Sequence, residues 1–316
     1  MNLIQGLYSL GLKVDRSLTK SIKLSCPVIS VGNISVGGRA KTPLVIDICH
    51  ILKEAGLAPV VLTRGYARKI NEDFWLLPEI IPNLQHVSVD ACGDEALEIF
   101  LTAKVPVLVS SKRFLQAEKF LQRYKDGNYV FVLDDGFQHW KLERDLDLVV
   151  VHENDHLDSL LPTGRLRETK RALERADFIL HLDADLQKKI QLSLFAHHLD
   201  PSTCVALTTR AGSQKHYHEE LCKELGFKIL IKNYKDHLES GELKNEILKL
   251  PPGVTQLLVG MKEAVKLLGP VQFLENTLFH KLEIQGRSFE VYLVKLKLEW
   301  DRGHFKKLLR EKGICH

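Results

Sequence analysis

Residues Pro27–Val31 form a short apolar run. It leads without a break into Gly32-Asn33-Ile34-Ser35-Val36-Gly37-Gly38-Arg39-Ala40-Lys41-Thr42-Pro43, after which an amphipathic pattern continues to Ala55. Strand, glycine-bearing loop and helix in that order make a cradle in which backbone N–H groups and a helix N-terminus face a phosphate. Gly37, Gly38, Arg39 and Ala40 would shape the cradle, Lys41 would bring charge to the phosphates, and the Thr42 hydroxyl would serve a magnesium ion. The match to G-x-x-x-x-G-K-S/T is incomplete, because Ser35 stands at the first glycine and Ala40 at the second. An accidentally glycine-rich loop is the competing reading, and the strand–loop–helix setting weighs against it. If position 40 needs positive φ, an alanine there costs on the order of 1 kcal/mol.

Similar apolar runs recur at Pro59–Thr63, Pro106–Ser110, Tyr129–Leu133, Leu146–Val151 and Phe178–Leu182, with helical patterns such as Pro43–Ala55 and Gly93–Ala103 between them. That alternation predicts an α/β fold, a mainly parallel sheet with helices on both faces. Further strands are expected at Cys204–Thr208, Lys228–Ile231, Gln256–Val259 and Val291–Leu298, and a helix at Gln214–Leu225. Asp183–Leu199 reads as a connecting helix. The expected organisation is an N-terminal helix (1–23), a phosphate-loop domain (24–190) and a smaller C-terminal α/β domain (191–316).

Tyr129–Leu133 ends in Asp134-Asp135-Gly136-Phe137-Gln138-His139. Carboxylates at the C-terminal end of a buried strand, beside a phosphate loop, hold Mg²⁺ or its waters. A plain polar turn is the alternative for Asp-Asp-Gly, and the loop upstream disfavours it.

The net charge of +4 across 316 residues, with no dense Lys/Arg cluster interleaved with aromatics, argues against a nucleic-acid partner. The six cysteines include no C-x-x-C pair or zinc-like spacing, as suits idle thiols in a reducing compartment. No apolar run reaches the roughly 18–20 residues of a membrane span, and no signal peptide is evident, so the catalytic part is expected in the cytoplasm. Leu3, Leu7, Leu10, Val14 and Leu18 nevertheless fall on one helical stripe, with Lys13, Arg16, Lys20 and Lys23 on another face. Such a helix either packs on the protein's own core or lies in a membrane interface against anionic lipid.

Taken in order, Val31–Pro43, Arg64-Gly65-Tyr66-Ala67-Arg68, Gly93-Asp94-Glu95-Ala96, Asp134–His139 and Leu161-Pro162-Thr163-Gly164-Arg165-Leu166-Arg167-Glu168 resemble the signature runs of the lipid A 4′-kinase (tetraacyldisaccharide 4′-kinase) family. The resemblance is strong over residues 1–182 and weaker over 202–270. It implies phosphorylation of the 4′-hydroxyl of an acylated glucosamine disaccharide 1-phosphate, with ATP and Mg²⁺. It also favours the interfacial role for the N-terminal helix, placing the enzyme peripherally on the cytoplasmic face of the inner membrane.

By the same resemblance, Asp94 is the candidate base, with an N-cap role as the alternative. His237 is its candidate partner, and Glu95 joins Thr42, Asp134 and Asp135 as a candidate metal residue. Tyr66, Arg113, Gln138, His139 and Arg167 are candidate contacts to substrate phosphate or sugar, arginine being suited to bidentate phosphate recognition. The chain departs from the family at Ala40, at Ala67, at Leu238 in place of a second His, and at Gly260-Met261-Lys262-Glu263, where the family has T-E-K-D. These departures leave open a catalytically silent relative that binds nucleotide or lipid. A phosphate-loop kinase for a soluble substrate is the third reading.

Overall fold

The computed structural model describes residues 3–36, 40–66, 68–80, 87–152, 155, 158–182, 185, 187–191, 198–209, 221–223, 225, 230–234, 238–269 and 279–315. The first sheet has seven strands in the order β3-β4-β2-β5-β1-β6-β7. They are β1 (Val28–Asn33), β2 (Ala58–Thr63), β3 (Phe74–Leu76), β4 (Val107–Val109), β5 (Tyr129–Asp134), β6 (Leu146–Val151) and β7 (Phe178–His181). All neighbours are parallel except β3, which runs antiparallel to β4 at the edge. β1 and β6 are buried along their whole length, so their near-continuous apolar character follows from coverage on both faces.

Helices α2 (Lys41–Glu54) and α4 (Asp94–Ala103) cover one face. On α2, Leu44, Val45, Ile48, Ile51 and Leu52 are all fully buried. Each such side chain contributes about 1.5–3 kcal/mol by leaving water. Pro43 sits in the first turn of α2, where a missing N–H costs no helical hydrogen bond. The other face packs on α5 (Arg113–Arg123), with Phe120 fully buried against Phe131. The short helix α3 (Val89–Cys92) precedes α4.

The second sheet is β10-β9-β11-β13-β12, formed by β9 (Cys204–Thr209), β10 (Leu230–Tyr234), β11 (Gln256–Val259), β12 (His280–Ile284) and β13 (Arg287–Leu293). Helices α6 (Ser240–Leu248) and α7 (Met261–Leu268) pack on it. The expected connecting helix at Asp183–Leu199 is corrected: Gln187–Gln191 is strand β8, antiparallel to β14 (Lys295–Glu299). Its Gln and Lys residues suit a helix, but pairing with β14 overrides that weak local preference. The single strand expected over Val291–Leu298 is two, β13 and β14, separated at Val294. Most of the expected helix Gln214–Leu225 lies outside the described residues.

The chain returns to its first sheet at the end. Helix α8 (Arg302–Glu311) buries Phe305 and Leu309 in the same core as α2, and Arg302 and Trp300 both donate to Asp47 of α2.

Helix α1 (Leu3–Leu18) is fastened to the first unit through Gln5, Tyr8 and Arg16. Gln5 Nε2 donates to Thr163 Oγ1 (2.6 Å), Tyr8 packs beside Phe137 and Leu166, and the Arg16 guanidinium lies 4.6 Å over the Trp140 ring. Ile4, Leu7, Leu10, Val14 and Leu18 face solvent, Leu7 at 62% and Leu18 at 79% exposure. Of the two readings of the stripe, the one that buries it in the protein's own core is set aside for these residues. Among the described residues, no helix is long and apolar enough to cross a membrane.

Candidate active site

The loops after β1, β2 and β5 open at the same end of the first sheet, where ligands bind in open α/β folds. Gly37, Gly38 and Arg39 lie outside the described residues. Ala40 has φ 57°, in the left-handed region, and caps α2 without a side-chain bond. The glycine of the usual pattern is therefore missing at a place that wants one. Ala40→Gly is expected to stabilise the fold by about 0.5–1 kcal/mol, measured as a raised urea midpoint. An unchanged or lowered midpoint would contradict the strain.

Lys41 points back across the loop. Its Nζ donates to Asn33 Oδ1 (3.2 Å) and lies 3.1 Å from Asp135 Oδ1. Arg167 reaches the other oxygen of Asp135 at 2.8 Å and also donates to Gln138 Oε1 (3.3 Å). Gln138 in turn donates to the Asn33 carbonyl (2.9 Å) and to Glu168 Oε1 (3.1 Å). Burial alone would raise the Asp135 pKa, but Lys41 and Arg167 outweigh it and hold the carboxyl below its ordinary range. One network thus joins Lys41, Asp135, Gln138, Arg167 and Glu168, drawn from three separate sequence runs.

Backbone contacts explain why these runs meet. The Arg167 N–H donates to the Ile34 carbonyl (2.7 Å), Val36 N–H to Arg165 (2.8 Å) and Gly136 N–H to Val31 (3.0 Å). Gly32 permits the approach, because a Cβ there would lie 2.5 Å from Phe137 Cβ and 2.8 Å from its backbone nitrogen.

Asp134 is buried beneath Asp135 and accepts from Thr63 Oγ1 (2.9 Å). Burial first, then the carboxylates of Glu95 and Asp135, raise its pKa. The ligand-free fold is consequently favoured by protonated Asp134. That contribution is fully present below about pH 4 and is lost as pH rises through the raised value. Asp134→Asn is expected to stabilise the ligand-free protein by about 1–2 kcal/mol at pH 8 and not at all below pH 4. Thermal melts across pH test this, and a loss of stability at pH 8 would contradict it.

Thr42 is buried at the start of α2. Thr42, Asp134, Asp135 and Glu95 carry hydroxyl and carboxylate oxygens, the donor type that a hard divalent cation takes together with several waters. Among the described residues, no group of three or more His, Cys, Asp or Glu side chains is disposed to hold a metal ion.

Asp94 opens α4. Gly93, at φ 88°, is the cap and sits where a Cβ would meet the Tyr66 carbonyl at 3.0 Å. Asp94 Oδ1 accepts from the Glu95 N–H (2.9 Å), and Oδ2 lies 2.7 Å from Lys266 Nζ of α7. Lys262, one turn earlier on α7, donates to Glu95 Oε1 at 2.5 Å. The stretch that departs from the family at Gly260–Glu263 therefore docks on the acidic face of α4.

Of the remaining candidates, Tyr66 is exposed at 60%. Arg113 is buried under the Asp134–Asp135 turn, donating to the Asp134 carbonyl (2.7 Å), and burial lowers its pKa to about 10. It supports the turn from below. His139 is held neutral: burial, then Arg113, Arg144 and Lys141, push its pKa down to about 3. His237 and Ala67 lie outside the described residues. Sequence reasoning assigned no role to Asn33, Glu168, Lys262 or Lys266. The first two stood inside signature runs, and the two lysines inside the Gly260–Leu267 stretch that lies where the family has T-E-K-D-A-V-K-L.

The model of the tetraacyldisaccharide-1-P 4′-kinase family (LpxK) matches residues 3–312. The chain belongs to this family. Among its relatives, a tetraacyldisaccharide 4′-kinase of Shewanella halifaxensis is 36% identical over 65% of this chain and 57% of its own length. One of Coxiella burnetii is 32% identical over 74% of this chain and 69% of its own. For the Shewanella and Colwellia psychrerythraea relatives, the aligned stretch spans little more than half their length, 57% and 53%. A crystal structure of Aquifex aeolicus LpxK, described as an "apo" form in complex with ATP, is similar with TM-score 0.72 and 26% identity, over 98% of this chain and 97% of that one. Likeness to the family thus extends through the second sheet, beyond the weaker resemblance over 202–270 seen in the motifs.

Proposed function

We propose that this chain transfers the γ-phosphate of ATP to the 4′-hydroxyl of an acylated glucosamine disaccharide 1-phosphate, the lipid A precursor. The observation that carries the reading is the convergence of Lys41, Asp135, Gln138 and Arg167 at the mouth of the phosphate loop, in a chain of this family.

Phosphoryl transfer calls for positioning and charge neutralisation. Lys41 and the N-terminus of α2 bind the phosphates. Asp94 accepts the proton of the 4′-hydroxyl as its oxygen bonds to the γ-phosphorus and the bond to the departing ADP oxygen breaks. Arg167, Gln138, Tyr66 and His139 orient the acceptor, and Arg113 holds the Asp134–Asp135 turn. Thr42, Asp134, Asp135 and Glu95 would hold Mg²⁺, which supplies positive charge to the triphosphate.

The acceptor is a lipid, and the exposed stripe of α1 supports a peripheral position on the cytoplasmic face of the inner membrane. Double substitution Leu7→Asp with Leu10→Asp is expected to reduce partitioning onto phosphatidylglycerol vesicles by more than about tenfold, since each buried leucine is worth about 1.5–3 kcal/mol. Equal sedimentation of variant and parent would contradict this. Acceptor choice tests the whole reading: transfer should require the tetraacylated disaccharide in mixed micelles, whereas phosphorylation of deacylated sugar at equal rate would favour a soluble-substrate kinase.

A further inference from the structure

We infer that Lys266 is a positioning residue for phosphate transfer, which fixes the carboxylate of Asp94 from the second sheet's side of the molecule. The inference rests on the proposed role of Asp94 as base. Asp94 is only 4% exposed and Lys266 only 14%, and their charged atoms are 2.7 Å apart. A pair so enclosed is screened little by solvent, and its geometry is fixed by the elements that carry it.

Those elements come from different sheets. Asp94 begins α4, which packs on the first sheet, and Lys266 lies on α7, which packs on the second. Lys262 makes a parallel pair with Glu95 one turn away, so α7 grips α4 at two points. Neighbouring features keep the grip in register. Ser240 Oγ donates to the Lys266 carbonyl (2.7 Å), tying α7 to α6. Val265 of α7 is fully buried in the core of the first sheet.

The consequence is directional. With Oδ1 engaged by the Glu95 N–H and Oδ2 by Lys266, the Asp94 side chain is held in one rotamer. A base must sit within hydrogen-bond reach of the proton it takes. Docking of α7 therefore completes the catalytic geometry, and the second unit acts on the reaction through an ammonium group contributed to the first.

Two measurements test this. The first is a folding double-mutant cycle of Lys266→Gln with Asp94→Asn, which needs no activity. A coupling of at least about threefold in the unfolding equilibrium is expected; its absence overturns the inference whatever the kinetics. The second is a kinetic cycle with the same variants and Lys266→Arg. Lys266→Gln should lower kcat by about tenfold or more with KM for ATP nearly unchanged, and Lys266→Arg should recover most of it. In the Asp94→Asn background, Lys266→Gln should have no further effect on kcat. Lys307→Ala, an exposed lysine of a helical ion pair, should leave kcat unchanged. Additive losses, or a failure of Lys266→Arg to recover rate while folded, would overturn the positioning role. If Lys266→Gln does not fold, the Lys266→Arg rate alone decides in the same way. A parent chain that folds and shows the coupling but transfers no phosphate would instead refute the proposed activity.

Discussion

Asp94→Asn is expected to lower kcat by about 100- to 10,000-fold, the usual contribution of a positioned general base. The amide keeps the size of the side chain and can still accept from the Glu95 N–H and face Lys266. Structure should therefore be retained while proton acceptance is lost. Asp94 is engaged by the Glu95 N–H and by Lys266 of α7, so ATP binding should change by no more than about threefold. A large loss of ATP affinity with kcat preserved would assign Asp94 to nucleotide binding instead. Rapid-quench measurement of one turnover separates these, since the chemical step is then seen apart from product release.

Lys41→Met should lower kcat/KM by about 100- to 1,000-fold, the cost of removing one charge-stabilising donor. Its effect should be distributed differently from that of Asp94→Asn. Lys41 sits between Asn33 Oδ1 and Asp135 Oδ1, so its loss removes one of the two cations that Asp135 pairs with among the described residues, the other being Arg167. Both ATP affinity and turnover should fall. Lys41→Arg should recover little, because a guanidinium carries its donors in a fixed planar fork, whereas the ammonium is a compact point charge. Equal activity of Lys41→Arg and the parent would contradict the proposed contact with phosphate.

Much of this was legible in the sequence because the chemistry is local. Phosphate loop, paired aspartates and the Leu161–Glu168 run are each contiguous, and β1 and β5, which lead into the first two, end within two residues of their expected bounds. The demand for positive φ at residue 40 was also readable, since the pattern names a glycine there. What escaped was decided by tertiary contact. The Lys262–Glu95 pair spans 167 residues of sequence, and no local rule couples them. Strand β8 is built from good helix formers and became a strand through β14. The β12–β13 hairpin turns at Gln285-Gly286, both at positive φ, where the stronger signal would be Asn-Gly. Helix α8 shows an amphipathic face, but a face alone does not say which of two sheets it will cover; it covers the first, so the unit expected over 191–316 shares its last helix with the core of its predecessor.

The most direct test of the central claim is transfer of labelled γ-phosphate from ATP to a tetraacylated disaccharide 1-phosphate by the purified chain, with Mg²⁺ and detergent, and with the product's phosphate position read by NMR. One phosphate gained at the 4′-oxygen, lost with Asp94→Asn and Lys41→Met, is the predicted result. A folded chain that binds ATP yet leaves the lipid unphosphorylated, or phosphorylates it elsewhere, would contradict it.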